Sequence, residues 1–245
     1  MSLNWMTLFH KPFWLLLCLL AIPLWGAQVS YPRSWSAWSW TSGVVHFRPL
    51  PDLTRPVLPL TWGDLDGDGD QERISLSAGT VTLWRQSQPV WQSPADWQVY
   101  QAELADLNRD GRLELVLLVW RPFHPWPVDR VMPNSGRIIG HQDARGQSCQ
   151  LILIGWERNA YRQVWAGSAL ARPVYAFASV DVNGDGLQEL VALEGDYTHR
   201  QPAQSLAFWA WNGFGFDLLG RRDGTFSSLK VVKSSTGVLT VLTRN

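Results

Sequence analysis

The segment "DLDGDGDQE", residues 64–72, carries five acidic side chains within nine residues. Asp64, Asp66 and Asp68 place an oxygen ligand at every second position, and Gly69 permits the sharp turn that folds those oxygens around one centre. Such a set suits a hard cation such as calcium. An EF-hand is a poor match, because position twelve is Ser75 and the segment leads into the strand-like "RISLS". The pattern predicts a calcium loop inside a β-hairpin.

The same spacing occurs twice more, as "DLNRDGRLE" at 106–114 and "DVNGDGLQE" at 181–189. Every copy has Asp at position one, Asp or Asn at three, Asp at five, Gly at six and Glu at nine. Each copy lies between two strand-like runs. A single Asp-Gly or Asn-Gly pair is typical of a hairpin turn with solvated acids. Three copies in register favour a repeated metal loop.

A longer unit surrounds each loop. A strand ending in tryptophan follows the loops, and in two copies an aromatic residue comes five positions later, as in Trp156 with Tyr161 and Trp211 with Phe216. Trp84 with Pro89 is a degenerate copy. The unit reads strand, loop, strand, strand, turn, strand, which describes one four-stranded blade of a β-propeller.

The interval between this tryptophan and the next loop is 22 residues after Trp84 and 25 residues after Trp156. Run backwards from Asp64, it locates Trp40 in "SWSAWSW". Run forwards from Trp211, it locates the acid-free "SSTG" at 234–237. We therefore expect a closing blade with strands three and four from the N-terminal side and strands one and two from the C-terminal side. Closure would remove two exposed sheet edges.

The predicted fold is thus an all-β, small propeller of about four blades over residues 34–245. The expected blades cover residues 57–92, 98–165, 173–220, and 34–50 joined to 226–243. An open array with frayed ends and a ring made by two chains are the alternatives. "SWSAWSW" also has a competing interpretation as a membrane-surface patch.

Charge and composition exclude a nucleic-acid footprint, because 21 basic and 21 acidic residues leave a formal net charge of zero. Residues 1–27 are predicted to form an N-terminal hydrophobic helix that is either a signal peptide or a membrane anchor. Its uncharged part, Phe13–Ala27, spans about 22 Å as a helix, which is short for a ~30 Å hydrocarbon core. Trp25 is unfavourable for cleavage after Ala27 and suits an interfacial anchor. Both interpretations predict an extracytoplasmic domain.

The repeated loops, supported by "WNGFGF" at 211–216, resemble the FG-GAP repeats of integrin α-subunit propellers and the related bacterial VCBS repeats. The Gly-Ala-Pro element of that family is not visible here. The resemblance implies up to three Ca²⁺ ions, bound by side chains at positions one, three, five and nine and by the backbone carbonyl at seven. The implied ligands are Asp64, Asp66, Asp68, Asp70 and Glu72; Asp106, Asn108, Asp110, Arg112 and Glu114; and Asp181, Asn183, Asp185, Leu187 and Glu189. The additional acid Asp70 predicts that the first loop depends most on its ion.

No nucleotide-binding, zinc-protease or nucleophile-elbow motif is present, so we expect a non-enzymatic protein-protein interaction module. A protein partner, with a membrane complex as one candidate, would bind the loop inserted at 121–149, which combines arginine with aromatic residues. Its candidate contact residues are Arg121, Trp126, Arg130 and Arg137. A disordered spacer is the alternative role of this loop. Alternative functions are a glycan-binding or adhesion module, for which a row of exposed tryptophans would be the sign, and an enzyme with a calcium-ordered cleft.

Overall fold

The computed structural model describes residues 34–50, 54–124, 140–199, 201–235 and 237–244, and within those ranges the chain forms strands and no helix. The all-β prediction is confirmed. The predicted N-terminal helix at 1–27 lies outside the described residues. The strands are β1 (Trp35–Thr41), β2 (Val44–Arg48), β3 (Thr54–Val57), β4 (Trp62–Gly63), β5 (Glu72–Ser77), β6 (Thr80–Arg85), β7 (Gln88–Gln92), β8 (Gln98–Ala105), β9 (Glu114–Pro122), β10 (Gln147–Glu157), β11 (Ala160–Ala166), β12 (Val174–Val180), β13 (Glu189–Glu194), β14 (Ala203–Trp211), β15 (Phe216–Phe226), β16 (Ser228–Ser234) and β17 (Leu239–Arg244).

Four antiparallel sheets form the blades of a propeller. Blade one has the order β4-β5-β6-β7, blade two β8-β9-β10-β11, and blade three β12-β13-β14-β15. Blade four has the order β2-β1-β17-β16-β3. The prediction of a four-bladed propeller is confirmed.

Blade four joins the two ends of the described chain. β1 pairs with β17, so that Ala37 lies opposite Leu242, and β1 also pairs with β2 in a hairpin. Trp38 lies on β1 and donates a hydrogen bond from Nε1 to Oγ1 of Thr243 at 2.7 Å. Its ring packs edge-on against Phe226 at the end of blade three. This sheet therefore holds together residues from opposite ends of the sequence.

The run "VLPLTW" before the first loop differs from the expected strand. β3 ends at Val57 and pairs with β16 of blade four, while only Trp62–Gly63 pairs with β5 of blade one. Pro59 interrupts the run, since proline has no N–H for a ladder. The segment between the two strands still bonds to its surroundings, because Leu60 O accepts a hydrogen bond from Leu104 N at 2.7 Å.

The tryptophan periodicity corresponds to a similar site in every blade, the last or second-to-last cross-strand pair before the turn between strands three and four. The paired residues are Trp40 with Val45, Trp84 with Pro89, Trp156 with Tyr161, and Trp211 with Phe216. Aromatic contact reinforces two of these pairs, with ring centroids 4.7 Å apart for Trp156 and Tyr161 and 5.3 Å apart for Trp211 and Phe216.

The core consists of apolar layers between neighbouring blades. Leu83 of blade one and Leu117 of blade two belong to one cluster, and Leu118 of blade two and Ala192 of blade three to the next. A third cluster joins Phe208 of blade three to Trp38 of blade four. Strand residues alternate between these layers, so β9 is buried on both faces from Glu114 to Trp120.

We expect Trp38→Ala to lower the free energy of unfolding by roughly 3–5 kcal/mol, because the change removes a buried indole and its bond to Thr243. Urea unfolding followed by circular dichroism measures the loss. Trp62→Ala is the matched control, since Trp62 is 48% exposed, and should cost roughly 1 kcal/mol or less. Equal losses in the two variants would contradict this packing of blade four.

Candidate functional site

Each acidic loop connects strands one and two of its blade and is ordered by its own carboxylates. Asp64 accepts hydrogen bonds from the backbone N–H groups of Gly67 and Gly69 at 2.7 and 3.0 Å. Asp106 and Asp181 make the corresponding bonds to position six, Gly111 and Gly186, at 3.0 and 2.9 Å. Position six has φ near +90° in all three copies, a region that glycine adopts without strain.

The residues at position seven point their side chains outward. Asp70, Arg112 and Leu187 are exposed, and their backbone N–H groups donate to the carboxylates of Asp68, Asp110 and Asp185, respectively. These three residues can thus offer only a backbone carbonyl to a cation held inside the loop.

Glutamate at position nine is buried in every loop, at 0% exposure for Glu72, 2% for Glu114 and 0% for Glu189. Burial raises the pKa of all three carboxyls, for Glu114 to about 8 with a further contribution from the charges of Asp110 and Asp106. A buried carboxylate is costly unless a cation or hydrogen bonds compensate it. The three loops differ in how they meet this requirement.

An arginine from outside the motif serves the first loop. Arg85, the last residue of β6, forms ion pairs with Asp66, with Asp68 Oδ2 at 3.5 Å and with Glu72 Oε1 at 3.0 Å. Tyr161 of blade two accepts a hydrogen bond from Arg85 at 3.1 Å and donates one to Asp66 at 3.3 Å. The first loop is therefore tied to the neighbouring blade.

An arginine from the second loop serves the third. Arg109, at position four, reaches across to Glu189 with an Nη2 to Oε1 distance of 2.7 Å. The other oxygen of Glu189 accepts the N–H of Val182 at 3.0 Å. Asp106 N also donates to the side chain of Gln188 at 3.0 Å. The second and third loops are thus joined by two direct contacts.

The second loop has no such arginine among the described residues, and Oε2 of Glu114 is buried without a hydrogen-bond partner there. Asp106, Asp110 and Glu114 each offer an oxygen within 4.8 Å of the others, as do Asp64, Asp66 and Glu72 in the first loop. The acids of the third loop do not form such a group within the described ranges. An unpaired buried oxygen beside two carboxylates fits the oxygen coordination that calcium requires.

The inserted loop lies at the opposite end of the blade, because it connects strands two and three whereas the acidic loops connect strands one and two. β9 continues to Pro122 and β10 begins at Gln147, so both strands extend into the predicted 121–149 segment. Arg121 is a strand residue whose guanidinium lies 5.4 Å from the ring centre of Trp97. The other candidate contact residues, Trp126, Arg130 and Arg137, lie outside the described residues.

A second connection, between β13 and β14, meets the base of the insertion. Tyr197 packs edge-on against Trp120, with ring centroids 5.6 Å apart, and its hydroxyl accepts the N–H of Cys149 at 3.2 Å. Asp196 orders this connection, and hydrogen bonds from Thr198 and His199 lower the pKa of its carboxyl to about 2. The β9–β10 connection, which contains the insertion, and the β13–β14 connection therefore contribute to one surface.

A cavity of about 480 Å³ lies between blades two and three. Trp165, Trp209 and Phe216 provide aromatic walls, and His141 lies at the margin. Its polar wall is Glu194, which accepts from Trp209 Nε1 at 2.9 Å and pairs with Arg221 at 2.8 Å. Sequence patterns contained no sign of this cavity, because its walls come from strands far apart in the chain.

Residues 64–117, which cover the first two acidic loops, match the family model described as an FG-GAP-like repeat. The resemblance seen in the sequence is confirmed there, and the FG-GAP-like stretch runs from blade one into β9 of blade two. Among curated proteins, none matches the chain.

Tryptophan exposure and helix content bear on the alternative functions. Trp62 is the one exposed tryptophan among the described residues, so these residues contain no row of exposed indoles. In the described ranges, no helix is long and apolar enough to cross a membrane.

The centre of the propeller contains a buried acid outside the loops. β8 and β12 meet there, and Gln101 bonds to both backbone groups of Phe177 at 2.6 and 3.1 Å. Glu103 accepts the N–H of Ser179 at 2.7 Å. Both side chains line a central cavity of about 370 Å³. Burial raises the pKa of Glu103 to about 7, against an opposing contribution from Ser179.

The Glu103 carboxyl binds its proton more tightly in the folded chain than in the unfolded chain. Its contribution to stability is therefore complete below pH 4.5 and is lost as the pH rises to about 7. Glu103→Gln keeps an acceptor for Ser179 and should stabilise the protein at pH 8 by on the order of 3 kcal/mol, with little effect at pH 4.5. Urea unfolding at both pH values measures the difference. Glu157→Gln, at an exposed site, is the control, and a pH-independent effect of Glu103→Gln would contradict the assignment.

Proposed function

We propose that this protein is a non-enzymatic, calcium-stabilised propeller that binds another protein outside the cytoplasm. A β-propeller with an FG-GAP-like repeat fits an interaction module. The acids of the loops are committed to ordering the backbone, which leaves them poorly suited to proton transfer. The proposal assigns calcium to the acidic loops and partner binding to the opposite end.

The unpaired oxygen of Glu114 is the observation that carries the calcium assignment. Its carboxylate is 2% exposed, yet Oε2 has no partner within the described part of the chain. A bound Ca²⁺ would compensate this charge, together with the charges of Asp106 and Asp110, and would draw on Asn108 and the carbonyl of Arg112. The ion would supply charge compensation and coordination, which fix the hairpin between β8 and β9.

Partner binding is assigned to the surface that carries the insertion. The insertion and the β13–β14 connection share a base at Trp120 and Tyr197, and His141 of the insertion lines the cavity between blades two and three. Rigid strands that present adjacent loops are the usual support for recognition. A glycan-binding role has less support, because exposed tryptophan is confined to Trp62 within the described ranges.

The location outside the cytoplasm is inferred from the N-terminal apolar segment alone. Lys11 and the terminal amine precede "FWLLLCLLAIPLWGA", and positive charge before such a segment favours export of the chain on its C-terminal side. A calcium-stabilised fold is also compatible with an extracellular calcium pool, where affinities of about 0.1–1 mM suffice. Whether the segment is cleaved or anchors the protein determines if the partner must lie near a membrane.

We expect calcium to raise the melting temperature of the wild type by more than that of Glu114→Gln, relative to each protein in chelator. Calcium at a hundred times its Kd stabilises the fold by ~2.7 kcal/mol, which corresponds to roughly 5–10 °C for a chain of this size. Differential scanning calorimetry measures the shift. Glu157→Gln borders the same loop cavity from β10 and should respond like the wild type. Equal calcium shifts in all three proteins would contradict a site at Glu114.

The partner assignment predicts that a shortened insertion loses binding while the fold persists. The deletion joins His124 to Gly140 through a short glycine linker, because residues 121–122 and 147–149 are strand residues that the blade needs. Pull-down from membranes compares this variant with the full chain, and unchanged melting of the variant verifies its fold. Equal recovery of the same partners by both proteins would contradict a binding role for the insertion.

A further inference from the structure

The three loops compensate their buried glutamates in different ways. In the first loop, the Oδ1 atoms of Asp66 and Asp68 accept backbone N–H groups. The remaining oxygens, Asp66 Oδ2, Asp68 Oδ2 and Glu72 Oε1, face the guanidinium of Arg85. Asp66 and Glu72 belong, with Asp64, to the group of carboxylates in this loop that could hold a metal ion. Arg85 therefore stands where the charge of a metal ion would act.

The third loop reaches the same result with Arg109. Both oxygens of Glu189 are engaged, one by Arg109 at 2.7 Å and the other by Val182 N at 3.0 Å. Asn183 donates to Asp185 Oδ2 at 2.9 Å, and Asn108 makes the same contact with Asp110 Oδ2 at 3.1 Å in the second loop, so the arginine is what distinguishes the two loops. In the second loop Glu114 keeps an unpaired oxygen among the described residues.

We propose that Arg85 and Arg109 are resident counter-ions of the first and third loops, and that the second loop alone binds calcium in the wild-type protein. This inference rests on the proposed calcium role of the second loop, and it departs from the expectation of three equivalent sites. The most acidic loop, 64–72, then depends least on an ion. Its charge is met by a guanidinium held between Asp66 and the hydroxyl of Tyr161.

The geometry of Arg109 also links the two neighbouring loops. Arg109 occupies position four with φ of +61°, where the other copies have Gly67 and Gly184. A non-glycine residue in this region is strained, and the ion pair with Glu189 accounts for its retention. Calcium in the second loop would thus also fix the arginine that serves the third.

The test is the number of calcium ions bound per chain, measured by isothermal titration calorimetry on the full-length protein. Glutamine replaces each arginine, since it retains much of the length and removes the charge. We expect one ion for the wild type and two for Arg85→Gln and for Arg109→Gln. Arg73→Gln is the control, because Arg73 follows Glu72 directly but is exposed, and it should bind one ion. Arg85→Lys keeps a charge at the site and should also bind one.

Double variants identify the loop that gains the ion. Adding Asp66→Asn to Arg85→Gln should return the number to one, whereas adding Glu114→Gln should remove the ion of the second loop and leave the new one. In chelator, Arg85→Gln should melt at a lower temperature than Arg73→Gln. Calcium should abolish this difference in melting temperature. A variant that folds only with calcium therefore supports the inference.

Three ions in the wild type would overturn the inference and leave the calcium proposal standing. The inference would also be overturned if both glutamine variants fold but each binds one calcium ion, as the wild type does. It would likewise be overturned if Arg85→Gln stays unfolded in calcium while Arg109→Gln binds one ion. No ion in the wild type but one in Arg85→Gln would support the arginine assignment and overturn the calcium role of the second loop. No ion in any variant would overturn both.

Discussion

A carboxylate that is buried away from water needs a cation or hydrogen bonds to compensate its charge. Every acidic loop of this propeller buries such a carboxylate, the glutamate at its ninth position. The glutamate begins strand two of the blade, so its burial ties the end of the loop to the sheet. At position two, Leu65 and Leu107 are buried in the apolar layers between blades, which fixes the beginning of the loop. The loop between these anchors has little conformational freedom. Charge compensation therefore determines the local structure of the whole turn.

Much of the architecture could be predicted from the sequence, because the blades repeat and their sequence pattern recurs at a regular interval. The interval between tryptophan and the next loop located Trp40, and the structure gives that residue the same cross-strand position as Trp84 and Trp156. The pattern could not predict that 54–57 would join blade four, since a short strand pairs with either neighbour equally well by composition. The extension of β9 and β10 into the insertion was also missed, because the polar "QSC" and "RP" have no alternation of their own.

The compensating arginines lay beyond sequence reasoning for a different reason. Arg85 meets Tyr161 across 76 residues, and Arg109 meets Glu189 across 80. Contacts of this range join neighbouring blades and leave no fixed spacing within a repeat. One signal was available at Arg109, where an arginine replaces the glycine of the other two copies. The acidic residues of the loops could therefore be identified from the sequence. The arginines that compensate the first and third loops could be identified only from the three-dimensional structure.

Joining the chain ends in blade four has a consequence for synthesis of the protein. β1 is made among the first strands, yet its partner β17 ends at Arg244, and the bond between Trp38 and Thr243 spans 205 residues. Blades one to three consist of consecutive strands and can form as the chain emerges. β1 must wait with an open hydrogen-bonding edge until β17 leaves the ribosome. An unpaired strand edge is an aggregation hazard, so the period of greatest risk for this fold ends only when β17 has paired with β1.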